Sequence, residues 1–290
     1  MTKTINDVYM QLFKRFKEAG SPQPSLEARE LTAYACKVDK GRTAEWGHIY
    51  LDDATVDFAN LLCDRCLDGE PLAYILNEWD FYGLTFKIDK NVLIPRSDTE
   101  RLAELAIERA QKAVNPRVLD LCCGSGCIGI AVAHEVEDAR VTAVDISDNA
   151  VRLSRENARA NGVFSRYVAL KADVRFRPQN NLGKFDVIVS NPPYVTAEEM
   201  RGLDRSVREF EPEQALYGGP DGLDFYRSIC GKWGDLLVPG GLILFECGYR
   251  QATQVCAILE DNRFSGIGIT EDLAGVPRIV YGENPAQEEI

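Results

Sequence analysis

The spacing of apolar residues predicts that the first part of the chain is helical. Ile5, Val8, Leu12 and Phe16 recur at three- and four-residue intervals, which is the period of one helical face. Gly20 is placed to end this helix. Two more stripes, each with a candidate amino-terminal cap, are Ser25 with Leu26, Leu31 and Tyr34, and Asp53 with Phe58, Leu61 and Leu62. These stripes predict the core of a small helical bundle.

The pattern changes after residue 77. Apolar and polar residues alternate between about 78 and 96, which is typical of a hairpin-like connector. From Thr99 onward, apolar runs alternate with helical patterns, which predicts a mostly parallel sheet with right-handed crossovers. Candidate strands are 117–121, 140–144, 168–170, 185–190, 241–245, 266–269 and 278–281. The sequence therefore predicts an α/β fold, divided into a helical domain 1–77, a connector 78–98 and an α/β domain 99–290.

The most informative motif is Asn191-Pro192-Pro193-Tyr194, directly after the apolar run 185–190. Proline has no backbone N–H, so the strand must end at Asn191, at the sheet edge where α/β proteins bind ligands. The Asn191 carboxamide and the Pro192 carbonyl can accept hydrogen bonds from one planar NH2 group, and Tyr194 can stack on that group. The motif predicts a site that orients an amide or aromatic amine nitrogen for attack on an electrophile.

A glycine-rich segment upstream predicts a second part of the site. The strand that carries Asp120 runs into residues 122–129, where glycines allow close approach of a ligand to a helix amino terminus. Asp145 ends the next strand, roughly 20 residues further on, and suits ribose hydroxyls. The glycine spacing also matches the dinucleotide fingerprint, so a nicotinamide enzyme is an alternative. Asp120, on the strand itself, suits a cationic ligand better than a pyrophosphate.

Together these residues resemble class I S-adenosylmethionine-dependent methyltransferases that act on amide or exocyclic amino nitrogen. The resemblance is greatest to the release factor glutamine N5-methyltransferases (the HemK/PrmC family). It covers most of the chain from about residue 70 onward and is weaker before that. The segments that carry it are 70–75, 81–84, 92–100, 191–194, 211–227, 245–251 and 272–278.

The resemblance implies a Rossmann-like domain with a mostly parallel seven-stranded sheet, and a helical domain that docks the substrate. It also implies methyl transfer from S-adenosylmethionine to the glutamine N5 of the Gly-Gly-Gln motif in peptide chain release factors. The implied catalytic residues are Asn191, Pro192 and Tyr194, with Pro193 added for substrate binding. The implied cofactor residues are Asp120, Cys122, Cys123, Gly124, Ser125, Gly126, Asp145, Asp173, Val174 and Asn191. Of these, Asp120 would meet the ammonium group, Asp145 the ribose and Asp173 the adenine amino group.

The chain departs from the family pattern at a few positions. Cys122 and Asn77 stand where glycine is common, and Ser97 stands where proline is usual. Cys122 is expected to fit if its φ is negative. Val174 replaces an aromatic ring found in some members, which predicts weaker stacking on adenine. Three charged residues could either line the substrate channel or form structural ion pairs: Arg96, Glu211 and Glu246.

Composition narrows the classes of partner. The chain has 290 residues, 45% hydrophobic and 27% charged, which suits two ordinary globular domains. Its net charge of −12 argues against a general nucleic-acid binder but is compatible with a positively charged protein partner. No export signal or membrane-spanning run is visible, so the cytoplasm is the expected location. No feature demands more than a monomer.

The cysteines and histidines predict no metal site. Nine cysteines in a chain without an export signal are expected to be free thiols. Cys63 and Cys66 have no second pair at a matching distance, and His48 and His134 form no paired ligand motif.

Several functions remain open from the sequence. A ribosomal protein glutamine is an alternative acceptor, and DNA adenine N6 is another because such enzymes share the Asn-Pro-Pro-Tyr motif. A nicotinamide-dependent oxidoreductase would use the glycine loop differently. A non-catalytic scaffold would follow if Cys122 or Val174 abolished cofactor binding.

Overall fold

The computed structural model describes residues 2–42, 45–178, 181–272 and 274–285. The chain forms two compact units. The first comprises Met1–Asn77 with Arg205–Phe210, and the second comprises Glu78–Asp204 with Glu211–Ile290. The second unit holds both sheets and the candidate site.

In chain order the helices are α1 Ile5–Glu18, α2 Pro24–Cys36, α3 Asp53–Leu67, α4 Leu72–Leu76, α5 Asp98–Ala110, α6 Cys127–Glu135, α7 Asp148–Ala160, α8 Ala197–Gly202, α9 Arg205–Phe210, α10 Asp224–Trp233 and α11 Ala252–Asp261. The strands are β1 Glu78–Phe81, β2 Leu84–Lys87, β3 Arg117–Leu121, β4 Arg140–Asp145, β5 Tyr167–Lys171, β6 Phe185–Ser190, β7 Leu237–Glu246, β8 Ser265–Glu271 and β9 Pro277–Glu283. Across the described ranges, no helix combines the length and the apolar character needed to cross a membrane.

The first unit packs α1, α2 and α3 around an apolar core. Thr4 and Asp7 form a capping box at the start of α1, in which each side chain accepts the other residue's backbone N–H. The predicted inner face of α1 is confirmed, since Leu12 and Phe16 are buried. The helix ends before Gly20, whose φ of +77° is the left-handed conformation expected at a helix stop.

The predicted caps of the next two helices are wrong by one or two positions. Gln23 occupies the cap of α2 because Pro24 begins the helix, so Ser25 lies in the first turn. Asp52, which has extended backbone angles, caps α3 by accepting the N–H of Thr55 at 2.8 Å. Two adjacent aspartates are equivalent in sequence, and only the backbone path decides which of them caps.

The predicted core stripe of α3 is also partly wrong. Leu62 is buried, but Phe58 and Leu61 are 41% and 55% exposed. The buried face of α3 consists instead of Val56, Ala59, Leu62 and Cys63. Small residues on that face allow close packing of the helices, which leaves the larger apolar side chains in solvent.

The second unit is built on a seven-stranded sheet in the order β5-β4-β3-β6-β7-β9-β8. The first five strands of that order are parallel, whereas β9 runs antiparallel to both β7 and β8. The predicted mostly parallel sheet is confirmed. The predicted connector contains an antiparallel hairpin of β1 and β2, turned by Tyr82 and Gly83 at positive φ. Leu273, within the segment 272–278, and residues 286–290 of the predicted α/β domain lie outside the described residues.

One core cluster of the second unit joins residues of the sheet to residues of α10 and α11. Tyr226 and Phe245 meet edge to face with ring centroids 5.3 Å apart, and Trp233 is fully buried beside them. The hydroxyl of Tyr226 donates to the Glu246 carbonyl at 2.9 Å. This contact fixes the end of β7 at the sheet edge where the candidate site lies.

Candidate functional site

A cleft of about 570 Å³ opens at the carboxyl ends of the parallel strands. Parallel strands end at one edge of the sheet, so residues distant in sequence meet there. The predicted site residues that line the cleft are Cys122, Cys123, Gly124, Ser125, Asp145, Asp173, Val174, Asn191 and Pro193. The predicted residues outside its wall are Asp120, Gly126, Pro192 and Tyr194.

The glycine loop, residues 122–126, joins β3 to α6. Cys122 has a φ of +60°, so the expectation of a negative φ is wrong. The loop must turn away from the strand at this point, and the turn requires the left-handed conformation that glycine adopts more easily. Gly124 also has a positive φ, and a Cβ there would meet no atom within 4 Å. Space for close approach of a ligand therefore exists at Gly124.

The other glycines of the fingerprint are required by packing inside the protein. A Cβ on Gly126 would lie 2.6 Å from the hydroxyl oxygen of Tyr167. A Cβ on Gly129 would lie 2.8 Å from Oδ2 of Asp120. The same spacing that resembles a dinucleotide fingerprint therefore serves helix-to-sheet packing at two of its three positions.

Asp120 is fully buried on β3, beneath the start of α6. Its Oδ2 accepts the N–H of Gly129 at 3.0 Å, while Oδ1 has no hydrogen-bond partner in the described part of the chain. Burial raises the pKa of Asp120 to about 7, and the hydrogen bond from Gly129 opposes that rise. A cation near Oδ1 would favour the ionised form, so this carboxyl group suits a positively charged ligand.

Asp145 fastens the glycine loop to the end of β4. Its Oδ2 accepts the N–H of Gly124 and its Oδ1 accepts the N–H of Ser147, both at 2.9 Å. Burial raises the pKa of Asp145, and these backbone hydrogen bonds oppose that rise. Ser147, not Asp145, caps α7 by accepting the N–H of Ala150. Asp145 therefore does not cap the helix, and its carboxylate lies in the cleft wall.

Asp173 is engaged by a neighbour that the sequence reasoning did not assign. The guanidinium of Arg175 donates from Nε to Oδ1 at 2.9 Å and from Nη2 to Oδ2 at 2.7 Å. These hydrogen bonds lower the pKa of Asp173. Val174, between them, is buried in the core cluster, and its carbonyl accepts the indole N–H of Trp233 at 2.9 Å.

Asn191 lies in the cleft wall directly after β6. Its Nδ2 donates to Oγ1 of Thr99 at 3.2 Å, and the Thr99 hydroxyl donates to Oε2 of Glu246 at 2.6 Å. Within the described residues, no group donates a hydrogen bond to Oδ1 of Asn191. The carboxamide is thus held from its NH2 side, which leaves its oxygen available to a ligand with N–H groups.

Thr99 and Glu246 are the functional residues that sequence reasoning missed in this role. Both are buried. The register of the parallel strands pairs Ser190 with Phe245, so the next residues, Asn191 and Glu246, end neighbouring strands. The sequence could have predicted that Glu246 lies beside Asn191 if β6 and β7 had been taken as neighbouring strands. Thr99 comes from α5, and no sequence pattern indicates its contact.

The Glu246 side chain is a buried acid of raised pKa. Burial raises the pKa of Glu246 to about 7, and Asp98 contributes to the rise. Hydrogen bonds from Thr99 and Asn191 and the charge of Arg278 act in the opposite direction. Glu246 therefore changes protonation near neutral pH. The sequence left Glu246 as either a substrate-channel residue or a partner in an ion pair. Among the described residues, no basic side chain forms an ion pair with it within 4 Å.

A second loop clamps the backbone of the Asn-Pro-Pro-Tyr motif. A Cβ on Gly218 would lie 2.5 Å from the Tyr194 Cα, and one on Gly222 would lie 2.3 Å from the Tyr194 carbonyl oxygen. Gln251 donates to the same carbonyl at 3.0 Å. The Tyr194 ring packs against the core cluster, and burial raises the pKa of its hydroxyl. The structure thus gives Tyr194 a packing role and leaves Asn191 and Pro193 at the cleft.

Arg96 and Glu211 form an ion pair, and Arg96 also lines the cleft. Arg96 Nη2 lies 2.5 Å from Glu211 Oε1, and the Ile94 N–H lies 3.4 Å from Oε2. The Glu211 side chain is 1% exposed, whereas that of Arg96 is 39% exposed and lines the cleft. Glu211 is therefore a structural partner, and Arg96 serves both as its partner and as cleft wall.

The predicted free thiols are confirmed for all nine cysteines. Burial raises the pKa of Cys63 to about 11 and that of Cys66 to about 12, so these thiols are unreactive at neutral pH. Among the described residues, histidine, cysteine, aspartate and glutamate form no group of three or more that could hold a metal ion.

Comparisons with known proteins agree with this geometry. Residues 7–76 match the PrmC N-terminal domain family, and residues 96–206 match the Methyltransferase small domain family. A release factor glutamine methyltransferase of Clostridium acetobutylicum is 40% identical over 280 residues, covering 95% of this chain and 97% of the relative. One of Vibrio cholerae is 34% identical and covers 100% of both chains.

A solved structure is similar in fold. The crystal structure of a methyltransferase from Pyrococcus furiosus superposes with a TM-score of 0.53 at 15% identity. The match covers 77% of this chain and 97% of that one. At this level of sequence identity, the two proteins are similar in fold alone.

Proposed function

Because the chain belongs to the family of release factor glutamine methyltransferases, we propose that it transfers a methyl group from S-adenosylmethionine to the glutamine N5 of the Gly-Gly-Gln motif in peptide chain release factors. The observation that carries this proposal is the orientation of Asn191 in the cleft. Its NH2 group is bound by Thr99, and its oxygen is free for a ligand. A primary amide offers two N–H donors to such an oxygen.

Asn191 and Pro192 would activate the acceptor by orienting it. An amide nitrogen is a weak nucleophile because its lone pair is delocalised into the carbonyl group. Hydrogen bonds from its two N–H groups to Oδ1 of Asn191 and to the carbonyl of Pro192 would direct the nitrogen at the methyl donor. They would also stabilise the positive charge that develops on nitrogen. The extra proton then passes to solvent, so no strong general base is required.

The cofactor half of the cleft would be formed by the glycine loop and three aspartates. S-adenosylmethionine supplies a methyl group that is already activated by a sulfonium centre. Asp145 would hold the ribose hydroxyls, and Asp173 with Val174 would lie beside the adenine. The fit is supported by Asp120, whose unpartnered buried oxygen suits a positive charge, and by the open space at Gly124.

The helical unit would dock the release factor. It exposes large apolar side chains, with Met10 51%, Tyr50 70% and Leu61 55% accessible to solvent. Exposed aromatic and methionine side chains are typical of protein interfaces. The net charge of −12 would favour a positively charged partner. A release factor substrate would place the reaction in the cytoplasm, and we propose that the protein acts as a monomer because the proposed site residues all come from one chain.

Mass spectrometry tests the proposal directly. Purified release factor would be incubated with this protein and methyl-labelled S-adenosylmethionine, beside an Asn191→Ala variant. We expect the wild-type protein to add the mass of one methyl group, in place of hydrogen, to the Gly-Gly-Gln glutamine. The variant should bind the cofactor with similar affinity and transfer no methyl group.

Two other outcomes would overturn the proposal in different ways. Transfer to a ribosomal protein glutamine or to DNA adenine, but not to the release factor, would retain the chemistry and replace the substrate. Equal losses of cofactor affinity and turnover in Asn191→Ala would contradict the role assigned to the carboxamide.

A further inference from the structure

Thr99 lines the cleft and connects Asn191 to the buried Glu246 through hydrogen bonds. A carboxamide presents a donor on one side and an acceptor on the other, and half a turn about its last torsion exchanges them at little intrinsic cost. A glutamine amide nitrogen only donates. Asn191 can receive it only while Oδ1, and not Nδ2, faces the cleft.

The hydrogen bonds at Asn191 select that orientation. A hydroxyl group has a single proton, and the Thr99 proton is given to Oε2 of Glu246 at 2.6 Å. Thr99 can then only accept, so the side of Asn191 that faces it must be Nδ2, 3.2 Å away. An ionised Glu246 has no proton to give and enforces this direction along the whole chain of hydrogen bonds.

The three groups are held by separate rigid elements. Asn191 and Glu246 follow the paired residues Ser190 and Phe245 of β6 and β7, and Thr99 lies in the first turn of α5. Thr99 and Glu246 are 2% and 3% exposed. Neither is therefore free to exchange its partner for water.

We propose that Thr99 and Glu246 are positioning residues that fix the Asn191 carboxamide with its oxygen toward the acceptor, and that they thereby make the site select a glutamine amide over a glutamate carboxylate. This inference rests on the proposed function. If the carboxamide turned, its NH2 group would face the substrate. It would then repel an amide NH2 group and donate a hydrogen bond to a carboxylate instead. The hydrogen-bond direction at Thr99 is thus a determinant of specificity.

Protonation of Glu246 would weaken this control. A protonated carboxyl group can donate to Thr99, which frees the Thr99 proton for Oδ1 of Asn191 and permits the turned carboxamide. The charged groups that act on Glu246 are Arg278 from β9, which favours ionisation, and Asp98 from α5, which opposes it. Lowering the pH through the range in which Glu246 takes up a proton should therefore reduce turnover.

The decisive variant is Thr99→Val, which keeps the shape and removes the hydroxyl. We expect its kcat on release factor to fall at least tenfold, while KM changes less than threefold because docking dominates binding of a protein substrate. Thr99→Ser restores the hydroxyl and should recover most of the turnover. Thr32→Val is the matched control, since Thr32 is also buried but its hydroxyl has no hydrogen-bond partner among the described residues.

A binding measurement separates orientation from general damage. Release factor with glutamine in the Gly-Gly-Gln motif and a variant with glutamate there would be titrated against each protein without S-adenosylmethionine. Wild-type protein should prefer glutamine, and Thr99→Val should reduce that preference about tenfold by binding the glutamate form more tightly. A merely destabilised site would weaken both complexes and would not improve either.

Glu246→Gln provides the second, independent variant if Thr99→Val does not fold. It keeps the volume of the side chain but does not titrate. The loss of turnover at acid pH should therefore disappear, and turnover at neutral pH should be lower than that of the wild-type protein. Unchanged kcat and unchanged glutamine preference in folded Thr99→Val would overturn the inference while leaving the proposed function intact. Absence of methyl transfer by the wild-type protein would overturn both.

Discussion

Cys122 has a left-handed backbone conformation, with a φ of +60°, at the start of the glycine loop. In this conformation the Cβ of an L residue lies close to the following carbonyl oxygen, which costs roughly 1–2 kcal/mol. Glycine has no Cβ and avoids that contact. It also loses more conformational entropy on folding, which offsets part of the stabilisation. The family's usual glycine at this position therefore has a local conformational reason.

Substitution of Cys122 should reveal this strain. Cys122→Gly should be more stable than Cys122→Ala by about 1 kcal/mol, the reverse of the order at an ordinary position. Urea unfolding of both variants measures the difference, and comparison with alanine removes the effect of the lost thiol. A glycine variant less stable than the alanine variant would show that the backbone is not strained there.

Asp120 predicts how cofactor affinity depends on pH. Its pKa in the ligand-free protein is raised to about 7 by burial, and a cationic ligand favours the ionised form. Affinity for S-adenosylmethionine should therefore rise with pH, roughly tenfold between pH 6 and 8 for one coupled proton. Calorimetric titration measures this rise. Asp120→Asn keeps an acceptor for Gly129 and should flatten the profile; a profile that stays as steep would assign the proton to another group.

At the scale of elements, the position of the Asn-Pro-Pro-Tyr motif depends on two neighbours of β6. Strand β7 places Glu246 beside Asn191 through its parallel register. On the other side of the motif, Val195 pairs with residues 216–218, with its N–H donating to Leu216 and its carbonyl accepting from Gly218, both at 2.9 Å. Pro192 and Pro193 have no N–H to donate to a neighbouring strand. The hydrogen bonds of Val195 therefore hold this turn from outside the sheet.

Gly218 should be essential to this arrangement. A Cβ there would overlap backbone atoms of Pro193 and Tyr194, which cannot move without shifting Asn191. Gly218→Ala should destabilise the protein by roughly 1–3 kcal/mol and reduce methyl transfer. Thermal unfolding and a turnover assay measure the two effects.

Gly202→Ala is the control for that substitution. It adds the same methyl group at the end of α8, where nothing lies within 4 Å. It should leave stability and turnover close to those of wild type. Equal effects of the two substitutions would show that the clamp at Tyr194 is unimportant.

At the scale of the whole molecule, two units separate the proposed tasks. All residues that line the cleft belong to the second unit, and the most exposed apolar side chains of the helical unit are remote from it in sequence. Large exposed apolar side chains on a folded unit are commonly interaction sites. Acceptor docking and chemistry should therefore be separable by substitution.

Leu61→Glu tests this separation. Leu61 is 55% exposed on α3, so the charge should not affect folding. The KM for release factor should rise about tenfold, as for an interface residue of moderate importance, while kcat and cofactor affinity stay unchanged. Val114→Glu adds the same charge at a 90% exposed position of the second unit and should change neither constant. Equal effects of both would indicate a response to net charge.

Local patterns in the sequence predicted much of this protein. The apolar runs and their alternation with helices predicted the parallel sheet. The residues at the ends of β3, β4, β5 and β6 predicted one part of the cleft wall, and segments 91–99 and 212–225 supply much of the rest. Such predictions succeed because a buried strand must be apolar and proline must end it. Where two local choices were equivalent, as at Asp52 and Asp53, the prediction was wrong.

The sequence by itself determined the fold class, the bounds of β3 and β6 and the chemical groups placed at their ends, whereas β7 begins at Leu237, four residues before the predicted start. Only the tertiary structure decided the φ of Cys122, the packing of Tyr194 against the core cluster and the hydrogen bonds that orient Asn191. Thr99 lies 92 positions from Asn191 and 147 from Glu246 along the chain. Contacts of that separation are set by strand register and helix packing, because no local period or propensity relates such residues to one another.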